Sequence, residues 1–268
     1  MSHSPLLRGC LTALAVGFVL ALLRRAGPRA GGLAAAMPMT SVPALAWACA
    51  EQGPAFAAAA ATAALLTTAL TGLVALLYAH AAPRLAPARA LGAATLPVAL
   101  LAALVTGAGS NPLPITVVGA VLMLLACRRL MPGAPASSGT ALEVRGSNLL
   151  TTAAVAGGFA ACIGWLAPSV PALLCGAVAA IPVIGLSTTV SVHSQGGSAA
   201  VVRFLHGYLQ GQWAKVTFLA LLASLLPSCP SAVAWVAAAA GGLAVVLAPH
   251  LLLLAARVRR LPGGLQWT

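Results

Sequence analysis

The sequence predicts an all-α integral membrane protein of about nine transmembrane helices, arranged as two four-helix repeats of inverted topology that a linker helix joins. Three observations lead to this prediction: the composition, the distribution of arginine, and a match between the two halves of the chain. Hydrophobic residues make up 61% of the 268 residues and charged residues 6%, against about a quarter in soluble domains. So few charges cannot cover a water-facing surface, which excludes a soluble globular protein.

Apolar runs of about 20 residues, long enough to cross a bilayer as helices, define the individual elements. The predicted spans are 9–24, 30–50, 55–79, 86–107, 113–131, 148–167, 171–193, 199–226 and 231–256. The turns between them are short and contain proline or glycine in most cases. The first span has a signal peptide as its alternative, but it ends in Arg24 and Arg25, the flank of a retained helix. The longest polar stretch lies over 132–147. The predicted organisation is therefore a first repeat over 1–111, a linker helix and connector over 112–147, and a second repeat over 148–268.

Arginine placement predicts the orientation. The net charge of +12 is not typical of a nucleic-acid-binding surface, because the arginines stand between apolar runs instead of clustering on a polar face. With the N-terminus outside, eleven bases fall on the cytoplasmic side of the predicted spans and only Arg8 falls outside. This asymmetry predicts an odd number of spans and a cytoplasmic C-terminus.

The two halves of the chain align without a gap when position 35 is placed on position 179, a displacement that we call the repeat offset. Ala35-Ala36-Met37-Pro38 falls on Ala179-Ala180-Ile181-Pro182, and Glu51-Gln52-Gly53 falls on Gln195-Gly196-Gly197. One extra helix between the units reverses the second, so the repeats are predicted to have inverted topology. Inverted repeats with interrupted helices are typical of secondary transporters, whose substrate site lies near the membrane midplane.

The second half also carries a recognisable order of features. They are an apolar helix from Gly176 to Pro182, the polar turn 194–197, and a third helix with Arg203, Gly207 or Gly211, and Trp213. In these features it resembles the GlpM-like family of four-helix membrane proteins, and the first half resembles the family through Pro38 and the turn 51–53. The resemblance implies a multi-pass protein of the bacterial inner (plasma) membrane that is associated with production of an alginate-like exopolysaccharide.

The predicted helix 199–226 holds most of the candidate binding residues. Polar groups are costly in lipid, so they usually face protein or a water-filled cavity. One stripe of this helix contains Arg203, His206, Gln210, Trp213 and Thr217, and a neighbouring stripe contains Tyr208, Gln212 and Lys215. Arg203 is either a binding residue or an interfacial anchor. Lys215, about 18 Å further along, either binds an anionic group or exchanges a proton, unless its long side chain reaches the outer headgroups.

Acidic partners for Lys215 are scarce, because the chain contains only Glu51 and Glu143. Glu143 lies in the predicted connector, so Glu51 is the candidate partner, provided that its turn dips into the membrane. Without such a pair, either the lysine is neutral or an anion supplies the opposite charge. Both outcomes are compatible with an anionic substrate.

Three prolines, Pro38, Pro43 and Pro182, predict breaks in the second helix of each unit. A break exposes backbone carbonyls, and Thr188 with its neighbours Ser187 and Thr189 is placed to supply hydroxyl partners. Paired broken helices indicate a transporter site, and the alternative is an ordinary kinked helix.

The leading functional prediction is a secondary transporter or permease, not an enzyme, with no cofactor or metal and with membrane lipid and a small anionic or envelope-related substrate as partners. The alternative is a non-transporting accessory subunit of exopolysaccharide biosynthesis that binds an envelope-biosynthesis partner or a second copy of the chain. A lipid-modifying enzyme is less favoured, because no paired acids or His/Asp cluster is evident.

Overall fold

The computed structural model describes residues 27–38, 41–107, 112–133, 171–179 and 182–259, and single positions before residue 27. These residues form helices and tight turns, with no strand among them. Within the described residues, four helices are long and apolar enough to cross a membrane, which identifies an all-helical membrane protein. The predicted spans 9–24 and 148–167 and the connector with Glu143 lie outside the described ranges.

The helices of the described ranges lie where the sequence predicts apolar runs. They are α1 (27–36), α2 (Ser41–Gln52), α3 (Pro54–Ala81), α4 (Pro87–Gly107), α5 (Leu113–Leu130), α6 (Ala172–Ala179), α7 (Val183–Leu225) and α8 (Ser231–Arg259). The four segments that are long and apolar enough to cross a membrane are Pro54–Ala81, Pro87–Val105, Leu113–Leu130 and Ser231–Ala248. Two predicted spans, 30–50 and 171–193, are each divided between consecutive helices.

Of the three prolines at which the sequence predicts a helix break, two lie where a helix is interrupted. Proline lacks the backbone N–H and disfavours helical geometry in the residue before it. α1 ends just before Pro38, whose carbonyl accepts a bond of 2.8 Å from the Val42 N–H. Pro182 immediately precedes α7, and its carbonyl accepts a bond of 2.7 Å from the Leu186 N–H. Pro43 lies in the first turn of α2, where proline is tolerated.

Two glycines mark the next turn in each half. Gly53 has φ 89° and separates α2 from α3, and Gly197 has φ 71° and lies inside α7. Side chains disfavour positive φ, so glycine is the residue that allows this change of direction. Gly197 divides α7 into two arms, which we call α7a (183–196) and α7b (198–225).

The turns that follow α3 and α7 have the same hydrogen bonds. In the first, the N–H groups of Ala82, Arg84 and Leu85 donate to the carbonyls of Tyr78, Ala81 and Ala81. In the second, those of Leu226, Ser228 and Cys229 donate to the carbonyls of Leu222, Leu225 and Leu225. The repeat offset relates every donor and acceptor of the first turn to one of the second, and it also relates the two proline breaks and the two positive-φ glycines.

Helices α3 and α7 lie side by side at the centre. Thr71 of α3 contacts Gln212 of α7b, and Tyr78, further along α3, contacts His193 of α7a. Helix α3 also packs against α2, α4, α5 and α6, and α7 packs against α8. The core therefore forms around these two helices, and the exposed large apolar side chains of α4, α5 and α8 are suited to contact lipid.

Close backbone contacts join α1 to α7b and α6 to α3. A Cβ atom on Gly32 would overlap the Phe204 carbonyl oxygen, and one on Gly176 would overlap the Ala60 carbonyl oxygen. The repeat offset relates these two contacts as well. The helix before each proline break thus packs against the long helix of the other half, where glycine allows the two backbones to approach.

Candidate functional site between the halves

A buried polar stripe lies along the inner face of α7b. Tyr208, Gln212 and Lys215 are 4%, 0% and 4% exposed, so this stripe faces protein. Lys215 lies ten residues before the end of α7 at Leu225, which is about 15 Å at the rise of a helix. Its position is thus in the middle portion of the arm, where burial of a charged side chain is costly.

Gln212 links this stripe to α3. Its Nε2 donates a bond of 2.7 Å to the Thr71 hydroxyl, which in turn donates to the Thr68 carbonyl at 2.8 Å. The Tyr208 hydroxyl interacts with the side chains of both Thr71 and Gln212. The Gln212 Oε1 atom is buried and has no hydrogen-bond partner within the part of the chain that the structure describes. Because an unsatisfied buried acceptor is costly, this oxygen is a position for a donor such as water or a protonated ligand.

A small cavity lies beside the Pro182 break and reaches this network. It is narrow, with room for about one water molecule. Hydroxyl-bearing residues from α3, α7a and α7b line it: Thr71, Tyr78, Thr189 and Tyr208. Gly185 allows the Tyr208 ring to approach α7a, because a Cβ atom there would lie 2.6 Å from Tyr208 Cε2. The cavity is therefore narrow, lined in part by hydroxyl groups and bordered by an aromatic ring.

Tyr78 and His193 form a further buried pair at the edge of the same cavity. The Tyr78 hydroxyl lies 2.9 Å from His193 Nδ1 and 3.4 Å from the Pro87 carbonyl oxygen. The two rings meet edge to face with centroids 5.7 Å apart. The pair joins α3 to α7a, one turn before Gly197.

The Pro38 break also borders a cavity, but an apolar one. Its volume is about 370 Å³, and its lining residues are Met37, Pro38, Val42, Ala214, Phe218, Ala239, Gly242 and Leu243. They belong to the α1–α2 break, α7b and α8. This cavity offers hydrocarbon contacts rather than hydrogen bonds.

The structure brings some of the predicted site residues together. Tyr208 and Lys215 share the buried stripe, and Thr188 is fully buried on α7a with no hydrogen-bond partner for its hydroxyl among the described residues. Its neighbour Thr189 donates instead to the Gly185 carbonyl at 2.6 Å. This bond lies within one helix, four residues apart, as the alternative of an ordinary kinked helix with hydroxyl back-bonds has it.

Other predicted residues lie elsewhere on the bundle. Arg203, His206 and Gln210 are half-buried on the neighbouring stripe of α7b. His206 Nε2 lies 2.9 Å from the Pro132 carbonyl oxygen, just beyond the end of α5. Glu51 is exposed near the end of α2.

Thr71, Tyr78 and His193 are not singled out by the sequence analysis. Thr71 follows several other threonines in α3, and such residues commonly bond to their own helix, as Thr67 and Thr68 do. Tyr78 is a hydroxyl-bearing residue near the end of a long apolar helix. This position is typical of a tyrosine at the membrane interface, so it does not by itself indicate a functional residue. The contact with His193 joins residues 115 positions apart and has no local sequence pattern.

The groups that the described site offers are hydroxyls, an amide, a buried lysine and a buried histidine. No group of three or more His, Cys, Asp or Glu residues that could hold a metal ion occurs in the described residues. No family model, curated protein or solved structure matches the chain.

Proposed function

We propose that the protein is a secondary transporter or permease that moves a small anionic or envelope-related solute between two inverted four-helix repeats. The observation that carries the proposal is the buried Tyr208–Gln212–Lys215 stripe, which contacts α3 through Thr71 beside a proline break. Broken helices next to a polar site at mid-depth are the arrangement that alternating access uses.

The repeat architecture is supported by the repeat offset, which relates the breaks, the positive-φ glycines and the turn hydrogen bonds of the two halves. In this proposal the two proline breaks are the hinges of the transport motion. Nine spans cross a bacterial inner membrane, with the N-terminus outside and the C-terminus in the cytoplasm.

An anionic solute is supported by the charges and donors of the stripe. Lys215 adds a positive charge, and Gln212 and the hydroxyls of Thr71 and Tyr208 are neutral hydrogen-bonding groups. A buried cation favours an anion, and the buried Gln212 Oε1 acceptor favours one that carries a proton or is accompanied by a water molecule.

The test is anion flux into proteoliposomes, measured by solid-supported-membrane currents with chloride, nitrate, phosphate and acetate as probes. We expect wild-type protein to carry at least one of them and Lys215→Met to lower that flux about tenfold or more, because a buried site charge is lost. Arg129→Gln, which removes an exposed charge at the end of α5, is the matched control. Wild-type flux from folded Lys215→Met would contradict the role of Lys215.

The inversion has a separate test. A single cysteine replaces Gln52 or Ser194, both exposed, in a protein without its native cysteines. We expect an impermeant thiol reagent outside intact cells to label position 52 only, and position 194 only after the membrane is opened. Labelling of both from the same side would exclude inverted repeats.

The second candidate is a non-transporting accessory subunit of exopolysaccharide biosynthesis, which is what the GlpM-like resemblance implies. The observation that favours it is an open groove on the exposed face of α5, lined by Pro114, Ile115, Val118, Gly119 and Leu122. A Cβ atom on Gly119 would meet nothing within 4 Å, so another helix has room to pack there. In this case Gly119→Leu would release a co-purifying glycosyltransferase, and wild-type protein would carry none of the anions.

A further inference from the structure

His193 is a buried titratable group that the proposed anion site does not use. It is 8% exposed, on the last turn of α7a before Gly197, and its Nδ1 lies 2.9 Å from the Tyr78 hydroxyl. The ring also interacts with the backbone of Ala82. Tyr78 lines the cavity at the Pro182 break, so the pair stands between that cavity and the turn after α3.

Tyr78 can satisfy this histidine in both of its protonation states. When Nδ1 carries no proton, the Tyr78 O–H donates to it. When a proton binds, Nδ1–H donates to the Tyr78 oxygen, and the Tyr78 hydrogen turns to the Pro87 carbonyl oxygen, 3.4 Å away. The ring also interacts with the backbone of Ala82. At Nδ1, proton binding thus exchanges hydrogen bonds and leaves neither the ring nitrogen nor the Tyr78 hydroxyl unsatisfied.

The other charged and titratable groups at this end belong to several elements. On α3, His80 is exposed and its Nδ1 is 3.0 Å from the Leu76 carbonyl oxygen, and in the following turn Arg84 contacts the His80 carbonyl. Arg89 of α4 is exposed, and Arg203 of α7b is half-buried. The side chain that bonds to the His193 ring is that of Tyr78, which carries no charge of its own at neutral pH.

The pair has no histidine counterpart at the other end of the bundle. The repeat offset relates His193 to Cys49 and Tyr78 to Leu222. Leu222 is a fully buried apolar residue. The position equivalent to His193 is Cys49, which is not paired with a tyrosine at the equivalent of Tyr78. Proton binding at His193 would therefore change the hydrogen bonds of the second proline break without an equivalent change at the first.

We propose that His193 is the proton-binding site of this transporter, with Tyr78 as the residue that positions its ring, so that the coupling ion is H⁺. The proton comes from water and binds the Nδ1 lone pair, and no covalent bond other than this N–H forms or breaks. The coupling role rests on the proposed transport function, whereas proton binding itself does not.

Proton binding is tested by NMR of protein labelled with ¹³C,¹⁵N-histidine in lipid nanodiscs. Comparison of wild type with H193Q identifies the His193 ring signals. We expect them to change reversibly with proton binding between about pH 5 and 8, the range in which histidine exchanges its proton. Y78F is expected to shift the Nδ1 signal in both states, and H80Q, which alters an exposed histidine, to leave it unchanged. A His193 ring that keeps one protonation state across this range, or ignores Y78F, overturns the proposal.

Coupling is tested in proteoliposomes loaded with the pH dye pyranine, with chloride, nitrate and phosphate gradients as probes. We expect H193Q to lose most of the proton movement that accompanies each anion carried, while H80Q behaves as wild type. Proton movement that persists in H193Q overturns the coupling role. A wild type that carries no anion contradicts the proposed function and with it the coupling role, while the NMR titration decides the proton site independently.

Discussion

The two proline breaks have the same backbone and different surroundings. At both, the proline carbonyl accepts a bond from the N–H four residues later, and a positive-φ glycine, Gly53 or Gly197, follows at the same spacing. Yet the cavity at Pro38 is apolar and about 370 Å³, whereas the cavity at Pro182 has room for about one water molecule and has four hydroxyl-bearing residues in its lining. The comparison teaches that backbone geometry alone does not make the site, because the side chains that α3 and α7b present to each break decide its chemistry.

The difference can be followed at equivalent positions. Val74 of α3 lines the Pro182 cavity, and its counterpart Phe218 of α7b lines the Pro38 cavity. Tyr208 borders the Pro182 cavity, but its counterpart is Ala64, a fully buried small residue. The larger apolar cavity therefore lies where the aromatic hydroxyl is missing. An apolar cavity in the membrane interior suits hydrocarbon, and a narrow hydroxyl-lined one suits a small hydrated solute.

The largest expected effect concerns the packing that is common to both halves. Gly176→Ala places a Cβ atom on the Ala60 carbonyl of α3, so α6 must move away, at a cost of about 2–3 kcal/mol in the free energy of unfolding. Gly32→Ala, which meets Phe204 in the same way, is expected to cost a similar amount. Thermal unfolding in detergent measures both.

Gly92→Ala and Gly119→Ala are the controls for this substitution, because a Cβ atom at either position meets nothing within 4 Å. They are expected to stabilise their helices by about 0.5–1 kcal/mol. A loss at Gly176 without one at Gly32 would show that the two packing contacts are not equivalent.

The second effect concerns the hydrogen-bond network of Gln212 and is compared with that of the equivalent residue on α3, Thr68. Gln212→Leu removes the bond to Thr71 and the interaction with Tyr208, and we expect a loss of about 1–2 kcal/mol in the free energy of unfolding. Thr68→Val changes the equivalent position on α3, where the hydroxyl bonds to Ala64 of its own helix, and should cost about 0.5 kcal/mol or less. If the two variants lose equal free energy of unfolding in urea or on heating, the hydrogen bond between Gln212 and Thr71 contributes no more than the ordinary bond within α3.

How much of the fold can be predicted from the sequence depends on the range of the interaction. The repeat offset, the breaks at Pro38 and Pro182 and the buried position of Lys215 follow from proline chemistry, helical periodicity and the cost of charge in lipid, which act within a few turns. Helical periodicity predicts two polar stripes on one helix. It does not tell which stripe is more buried, and so it does not identify the stripe with Tyr208 and Gln212.

The contacts between the halves are not predictable in the same way. Gln212 finds Thr71 across 141 residues, and periodicity cannot tell which of several threonines in α3 a distant helix will meet. Likewise, a glycine in an apolar helix indicates close packing but not its partner, so Gly32 and Gly176 give no indication that each contacts the other half. Tertiary arrangement selects among locally equivalent residues.

A smaller effect comes from filling each cavity. Gly185→Ala brings a Cβ atom to the Tyr208 ring, which must turn into the narrow Pro182 cavity, and we expect a loss of about 1 kcal/mol in stability together with lower anion flux. Val42→Leu adds a methylene to the roomy apolar cavity at Pro38 and should be neutral or slightly stabilising. Unfolding and flux measurements on the two variants compare the breaks directly. If Val42→Leu lowered the stability more than Gly185→Ala, the Pro38 cavity would be the tighter of the two.

The smallest effect is expected at Thr188, next to the Pro182 break. Its hydroxyl is buried and has no partner among the described residues, so Thr188→Val replaces an unsatisfied polar group with a methyl of similar size. The change should stabilise the protein by about 0.5 kcal/mol, since a hydroxyl without a hydrogen bond is costly to bury. Thr189→Val, which removes the bond to the Gly185 carbonyl, should destabilise it by about 1 kcal/mol. A Thr188→Val variant that loses more than about 1 kcal/mol would show that this hydroxyl is bonded in the membrane. A variant with unchanged stability but lower anion flux would place the hydroxyl on the path of the solute.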